Sequence, residues 1–186
     1  ARLVNAGTGA VWRTVTIAGT PLAAPPAASA GMRLEKRFFN LDGTAADPAA
    51  LKQGQQVIVR LRSRADDQRS MLAVIDDPLP AGLEIEAVLN PVDAQGAPSD
   101  DSGQKAAPGR FAFLGALDDP SLQEKRDDRY VAAFKLDGTK TFTLAYVARA
   151  VTPGDFFLPG ASARNMYRPG VNAQTAPGRL KVATGP

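Results

Sequence analysis

The chain has 186 residues and a net charge of +3, from 22 Lys plus Arg against 19 Asp plus Glu, and that length suffices for one domain with a sizeable buried core. It has no cysteine and no histidine, which removes disulfides, thiol nucleophiles, His-based triads and the usual zinc sites. Basic residues are interleaved with acids, as in Arg33, Glu35, Lys36 and Arg37 and again in Glu124, Lys125, Arg126 and Asp127, a mixed solvated surface rather than the clustered basic face that nucleic acid requires.

No run approaches the ~20 apolar residues of a membrane span, and no charged-then-apolar signal pattern opens the sequence, so an export signal or lipid anchor is expected outside these residues. Val11 to Ala18 alternates Val11, Arg13, Val15 and Ile17 against Trp12, Thr14 and Thr16, a β-branched density that predicts a strand. Residues 1–17 then read in two ways, as the returning end of a preceding domain or as an edge strand of the same sandwich. Gly19 to Gly31 is uncharged and rich in Pro and Ala, which predicts an extended linker. The division is therefore a strand and linker over 1–30 and the domain proper over 31–186.

From Met32, Leu34, Lys36 and Phe38 alternate with Arg33, Glu35, Arg37 and Phe39 up to a turn at Asn40 to Gly43. Val57, Val59 and Leu61 alternate with Ile58, Arg60 and Arg62. Met71 to Ile75 is a continuous apolar run of strand length, hence a candidate central strand, closed by Asp76, Asp77 and Pro78. Leu83 to Leu89 alternates again after a Pro-Ala-Gly turn. Asn90 to Gly109 is polar and rich in Pro and Gly, which predicts a surface loop. Phe111, Phe113 and Leu114 predict a short strand, and Pro120 to Arg126 one helical turn led by Ser121.

Tyr130, Ala132 and Phe134 fall on one face against Val131 and Ala133, and Phe142, Leu144, Tyr146 and Ala148 alternate with Thr143, Ala145, Val147 and Arg149. Asp137-Gly138, at the centre of the residues between them, predicts a hairpin. A Pro-Gly turn, a short aromatic run and the tetrad Met166, Tyr167, Arg168 and Pro169 follow. Strands at this spacing, with turn signals and no long helix, predict an all-β fold, an antiparallel β-sandwich.

Five Asp-Asp pairs, at 66/67, 76/77, 100/101, 118/119 and 127/128, could in principle bind calcium or supply an acid and a base. None has the Asp-x-Asp-x-Asp-Gly spacing of a calcium loop, and each lies beside a turn or strand end where Asp caps backbone N–H groups. No metal site and no cofactor are expected. Ser29, Ser63, Ser99 and Ser162 have no histidine to activate them. Trp12, Phe38 and Phe39 could form a sugar-stacking platform, although an ordinary sheet or interdomain contact explains Trp12 better. Arg149 interrupts an apolar strand and either points outward or pairs with an acid such as Asp155. Met166 beside Tyr167 offers a soft apolar surface and a hydroxyl in an irregular segment.

Taken in order, DDRYVAA at 127–133, AYVARAVTPG at 145–154 and MYRP at 166–169, with the looser PLPAGLEIE at 78–86, resemble the C-terminal macroglobulin-like domain of the bacterial alpha-2-macroglobulin family. The resemblance covers most of the chain. It implies a macroglobulin-like, immunoglobulin-like sandwich, a piece of a much longer chain, with residues 1–17 from a preceding CUB-type domain. It also implies a non-enzymatic role in a periplasmic protease trap, associated with the inner membrane through the parent chain. The implied partners are other domains of the same chain, target proteases reached through it, and cell-envelope proteins. In thioester-bearing relatives the matching Met and Tyr lean over a neighbouring domain's thioester. By resemblance Met166 and Tyr167 are then the shielding residues, with Arg168 and Pro169 holding the loop. The alternative is a stand-alone sandwich that binds carbohydrate or envelope material; an enzyme using paired carboxylates ranks last.

Overall fold

Alternating side chains sort these strands into an inner and an outer face, and pairing follows from that sorting. The computed structural model describes residues 4–16, 18–19, 23–96 and 109–185. In chain order its strands are β1 (Ala28–Ala30), β2 (Met32–Phe39), β3 (Leu51–Lys52), β4 (Gln56–Ala65), β5 (Met71–Pro78) and β6 (Leu83–Leu89), then β7 (Leu122–Lys125), β8 (Arg129–Leu136), β9 (Thr141–Ala150), β10 (Gly154–Leu158), β11 (Ser162–Asn165), β12 (Asn172–Gln174) and β13 (Gly178–Ala183). One sheet has the order β1-β12-β11-β5-β8-β7, a second β2-β4-β9-β6, and a third β10-β13-β3. Pairing is antiparallel except between β13 and β3.

The first two sheets face each other, and their inner faces make the core. β5 contributes Met71, Ala73 and Ile75, and β8 contributes Tyr130, Ala132, Phe134 and Leu136. Opposite them stand Val57, Val59 and Leu61 of β4 and Leu144, Tyr146 and Ala148 of β9. Aromatic rings lock the layers, with Tyr130 and Tyr146 at 5.2 Å and Phe134 stacked on Phe142 at 4.2 Å. The small third sheet adds Leu180 and Val182 to the same core.

The turn around Asp137-Gly138 is not a hairpin. β8 pairs with β5 and β7 while β9 pairs with β4 and β6, so this turn arches from one sheet to the other. A hairpin and an arch both join two alternating runs through a turn, and only the partner strands tell them apart. Gly138 sits at φ 62°, where a side chain would be strained.

Four further expectations change. Residues 11–16 form no strand and are exposed, so neither a returning strand nor an edge strand is seen among them; Ile17 lies outside the described residues. The end of the linker is itself β1, paired with β12. Ala112–Leu114 is a 3-10 turn rather than a strand, and Leu122–Lys125 is an edge strand on β8 rather than a helical turn.

Both 3-10 turn and preceding loop have a packing role. The outer face of β4, β9 and β6 carries Ile58, Ala145, Val147 and Leu89, too apolar to face water, and Ala94, Phe111, Leu114 and Leu117 cover it. Part of the segment expected to be a surface loop is therefore a lid. Asn90 starts it with a capping box on the short helix α1 (Pro91–Gln95).

Candidate functional site

The tetrad 166–169 follows directly on β11, and one buried side chain shapes it. Asn165 ends β11 pointing inward and is 4% exposed. Its Oδ1 accepts the backbone N–H of Tyr167 at 2.8 Å and of Arg168 at 2.9 Å, an Asx-type turn. Met166 N–H donates to Leu72 O at 2.9 Å, which carries the β11–β5 ladder one residue further. Asn165 N–H donates to Val171 O, Val171 N–H donates to Arg168 O, and Asn172 Nδ2 donates to Pro169 O. The backbone is thus held on both sides. Its side chains are not: Met166 is 51% and Tyr167 76% exposed, and Arg168 and Pro169 are exposed too.

Sequence reasoning found this tetrad and missed Asn165 and Asn172, the residues that fix it. The available signal was an Asn three residues before an Arg-Pro pair, a spacing that lets one side chain cap two following N–H groups.

A second polar group lies in the core. Lys36 of β2 crosses the sandwich to Asp77 of β5, Nζ to Oδ1 at 2.5 Å, and the Tyr146 hydroxyl of β9 donates to Asp77 Oδ2 at 2.8 Å. Asp77 is fully buried. Burial pushes its carboxyl above the ordinary value, and Lys36 and Tyr146 pull the other way. Burial and the Asp77 charge likewise push the Tyr146 hydroxyl up. Asp76 and Asp77 therefore do not close a strand as turn caps; β5 runs on to Pro78. Alternation carried the signal, because Lys36 follows Leu34 and Asp77 follows Ile75 on the apolar face.

The other candidates disperse. Asp66 meets Arg33, and Asp67 caps the N–H of Arg69. Asp118 accepts Thr143 N–H at 2.7 Å. Asp128 and Asp76 both meet Arg129. These are local and cross-strand ties, and among the described residues no group of three potential ligands is placed to hold a metal; Ser99, Asp100 and Asp101 lie outside those residues. Ser63 is buried and donates to Arg33 O. Trp12 is 95% exposed, while Phe38 packs on the main core and Phe39 on the outer cluster, so the two Phe rings face opposite ways and make no platform. Arg149 pairs with Glu86, and Asp155 with Arg179.

The family model described as the bacterial alpha-2-macroglobulin MG10 domain matches residues 31–170. An alpha-2-macroglobulin of Xylella fastidiosa (strain Temecula1) is 34% identical over 183 residues, 97% of this chain and 11% of the relative. Among solved structures, Salmonella alpha-2-macroglobulin reacted with methylamine superposes with a TM-score of 0.71 at 34% identity, over 89% of this chain and 10% of that one. Trypsin-activated alpha-2-macroglobulin from Escherichia coli does so with 0.68 at 35%, over 88% and 11%. The chain spans about a tenth of the length of the relatives it matches. With its sandwich and its matched residues, the chain belongs to the bacterial alpha-2-macroglobulin family, as an MG10 domain.

Proposed function

We propose that this domain is a non-catalytic part of a periplasmic protease-trapping chain, and that the loop Met166 to Pro169 is its contact with a neighbouring domain. The observation that carries the reading is an exposed Met-Tyr pair on a backbone held by Asn165 and Asn172. Large apolar side chains on an ordered loop cost little to dock, because the loop entropy has already been lost on folding. Where the parent chain bears a thioester, the thioether and phenol keep water and small amines from it. With no cysteine here, such a bond belongs to another domain.

Two relatives support this reading. The Salmonella protein was solved after reaction with methylamine and the Escherichia coli one after activation by trypsin, and this domain superposes on both. A fold kept across those states supports a domain that moves as a unit while its contacts change. The aromatic residues that a sugar platform would need are apart, so the stand-alone binding module loses its support. The test is Met166→Ala with Tyr167→Ala in the full parent chain. The expected outcome is faster inactivation by methylamine in a thioester-bearing parent, or a looser interdomain contact in one without, together with reduced protease capture. Unchanged behaviour in both assays would remove the loop from function.

A further inference from the structure

The inner face of the six-stranded sheet is covered by the four-stranded sheet; its outer face has no cover among the described residues. Register places the side chains there. Leu122, Ala133, Val74 and Arg164 stand in one row across β7, β8, β5 and β11, and Lys135 stands beside Leu72 in the next. The bond from Met166 N–H to Leu72 O sets Met166 at the end of that second row. Leu122 is 66% and Leu72 40% exposed, and Val74 and Ala133 between them, with Val131 in the row beyond, are half-buried. The result is one apolar band that runs from the β7 edge into the Met166–Tyr167 loop.

Charge on the band is uneven. At one end Arg129 pairs with both Asp76 and Asp128. Around Leu72 and Met166, Lys135, Arg164 and Arg168 form no ion pair with another described residue. An apolar centre with a one-sided basic rim fits an apolar surface flanked by carboxylates.

We infer that this outer face, from Leu122 through Val74 and Leu72 to Met166, docks a second domain of the same parent chain that presents an apolar patch beside carboxylates. A tethered domain is the occupant because the band is small. Half a dozen side chains fall well short of the ~20–30 residues a side that a standard complex between free partners uses. Tethering supplies a millimolar-range effective concentration, at which a patch of this size suffices. The relatives are about ten times longer than this chain, so such a parent has the domains to supply it. The inference rests on the proposed loop contact and extends it from a tip to a face.

Hydroxyl-radical footprinting of the full parent chain tests it, with Phe157, 59% exposed and on β10, as the internal reference. Once each signal is corrected for the intrinsic radical reactivity of its side chain, Leu72 and Leu122 should label several-fold less than Phe157, independently of protein concentration. Arg164→Glu should restore much of their labelling. Labelling equal to Phe157 overturns the inference, as does protection that fades on dilution, which would assign the face to a second copy. Protection of Met166 and Tyr167 alone also overturns it and leaves the loop contact intact. Protection of Leu72 and Leu122 with a labelled Tyr167 upholds the face and removes the loop reading.

Discussion

Lys36, Asp77 and Tyr146 meet between the two inner faces, and each compensates another's desolvation. Removing one partner strands a charge or a hydroxyl in the core, so Lys36→Met or Asp77→Asn alone should lower stability by about 3–5 kcal/mol. Replacing the whole group with Lys36→Met, Asp77→Leu and Tyr146→Phe removes all three polar partners at once and should recover most of that loss, because a buried ion pair seldom outperforms apolar packing by much. Urea melts of the singles and the triple variant check both statements; a triple variant as unstable as the singles would show that the pair itself stabilises. The pH dependence has a definite sign. Burial raises the Asp77 carboxyl above 3.8, and a raised carboxyl contributes in full below its unfolded value and loses that contribution as pH climbs through the folded one. Parent minus triple variant should therefore favour the parent most at acid pH, and the margin should shrink toward neutrality.

At the scale of elements, β8 and β9 are the paired centres of opposite sheets, and each puts large side chains into the shared core. Leu144, on β9, is 2% exposed. Leu144→Ala should cost about 2–5 kcal/mol through lost burial and a residual cavity, read as a lower urea midpoint; an unmoved midpoint would show that the sheets close the gap. The strands legible in the sequence were those with sustained alternation, β2, β4, β6, β8 and β9, and β5, with its continuous apolar run. Those it misassigned are short or depend on a partner. Leu122–Lys125 is a strand only because β8 offers its edge, and residues 11–16 have strand composition yet no ladder to join. The arch at Asp137-Gly138 was read as a hairpin because pairing across 57 residues of sequence, Ile75 with Ala132, leaves no local mark. Likewise Met166 and Tyr167 could be singled out by motif, whereas the pairing of Lys36 with Asp77, 41 residues apart, emerges only when distant segments come together. Sheet edges show their own protection. β7 carries Gln123, Glu124 and Lys125, and β6 breaks register between Ile85 and Ala87, devices that discourage further strand addition.

Across the whole molecule, the folding unit is larger than the segment that the family model matches. That segment ends at 170, yet β12 ties β1 to β11, and β13 lies between β10 and β3 with Leu180 and Val182 in the core. Deleting residues 171–186 removes two strands and uncovers β3, β10 and one end of the main core. The truncated chain should lose its cooperative thermal transition, seen by circular dichroism, while one ending after Ala183 should keep it. A cooperative melt for the shorter chain would show that the third sheet is an accessory.

The pairing of β1 with β12 has a mechanical side. β1 is three residues long, exposed throughout, and followed after Gly31 by Met32, which is wholly buried. Tension on the chain ahead of Ala28, directed away from the sheet, loads one residue pair at a time, first Ala28 with Gln174, then Ser29 with Ala173, then Ala30 with Asn172. Peeling of this kind needs little force, whereas Met32 resists because its strand is clamped along β4 through eight residue pairs. At ~3.3 Å per residue, three freed residues give the upstream chain about 10 Å of travel before the load reaches the sandwich. β1 would therefore open as a tear strip under such tension, before any load reached the β2–β4 ladder.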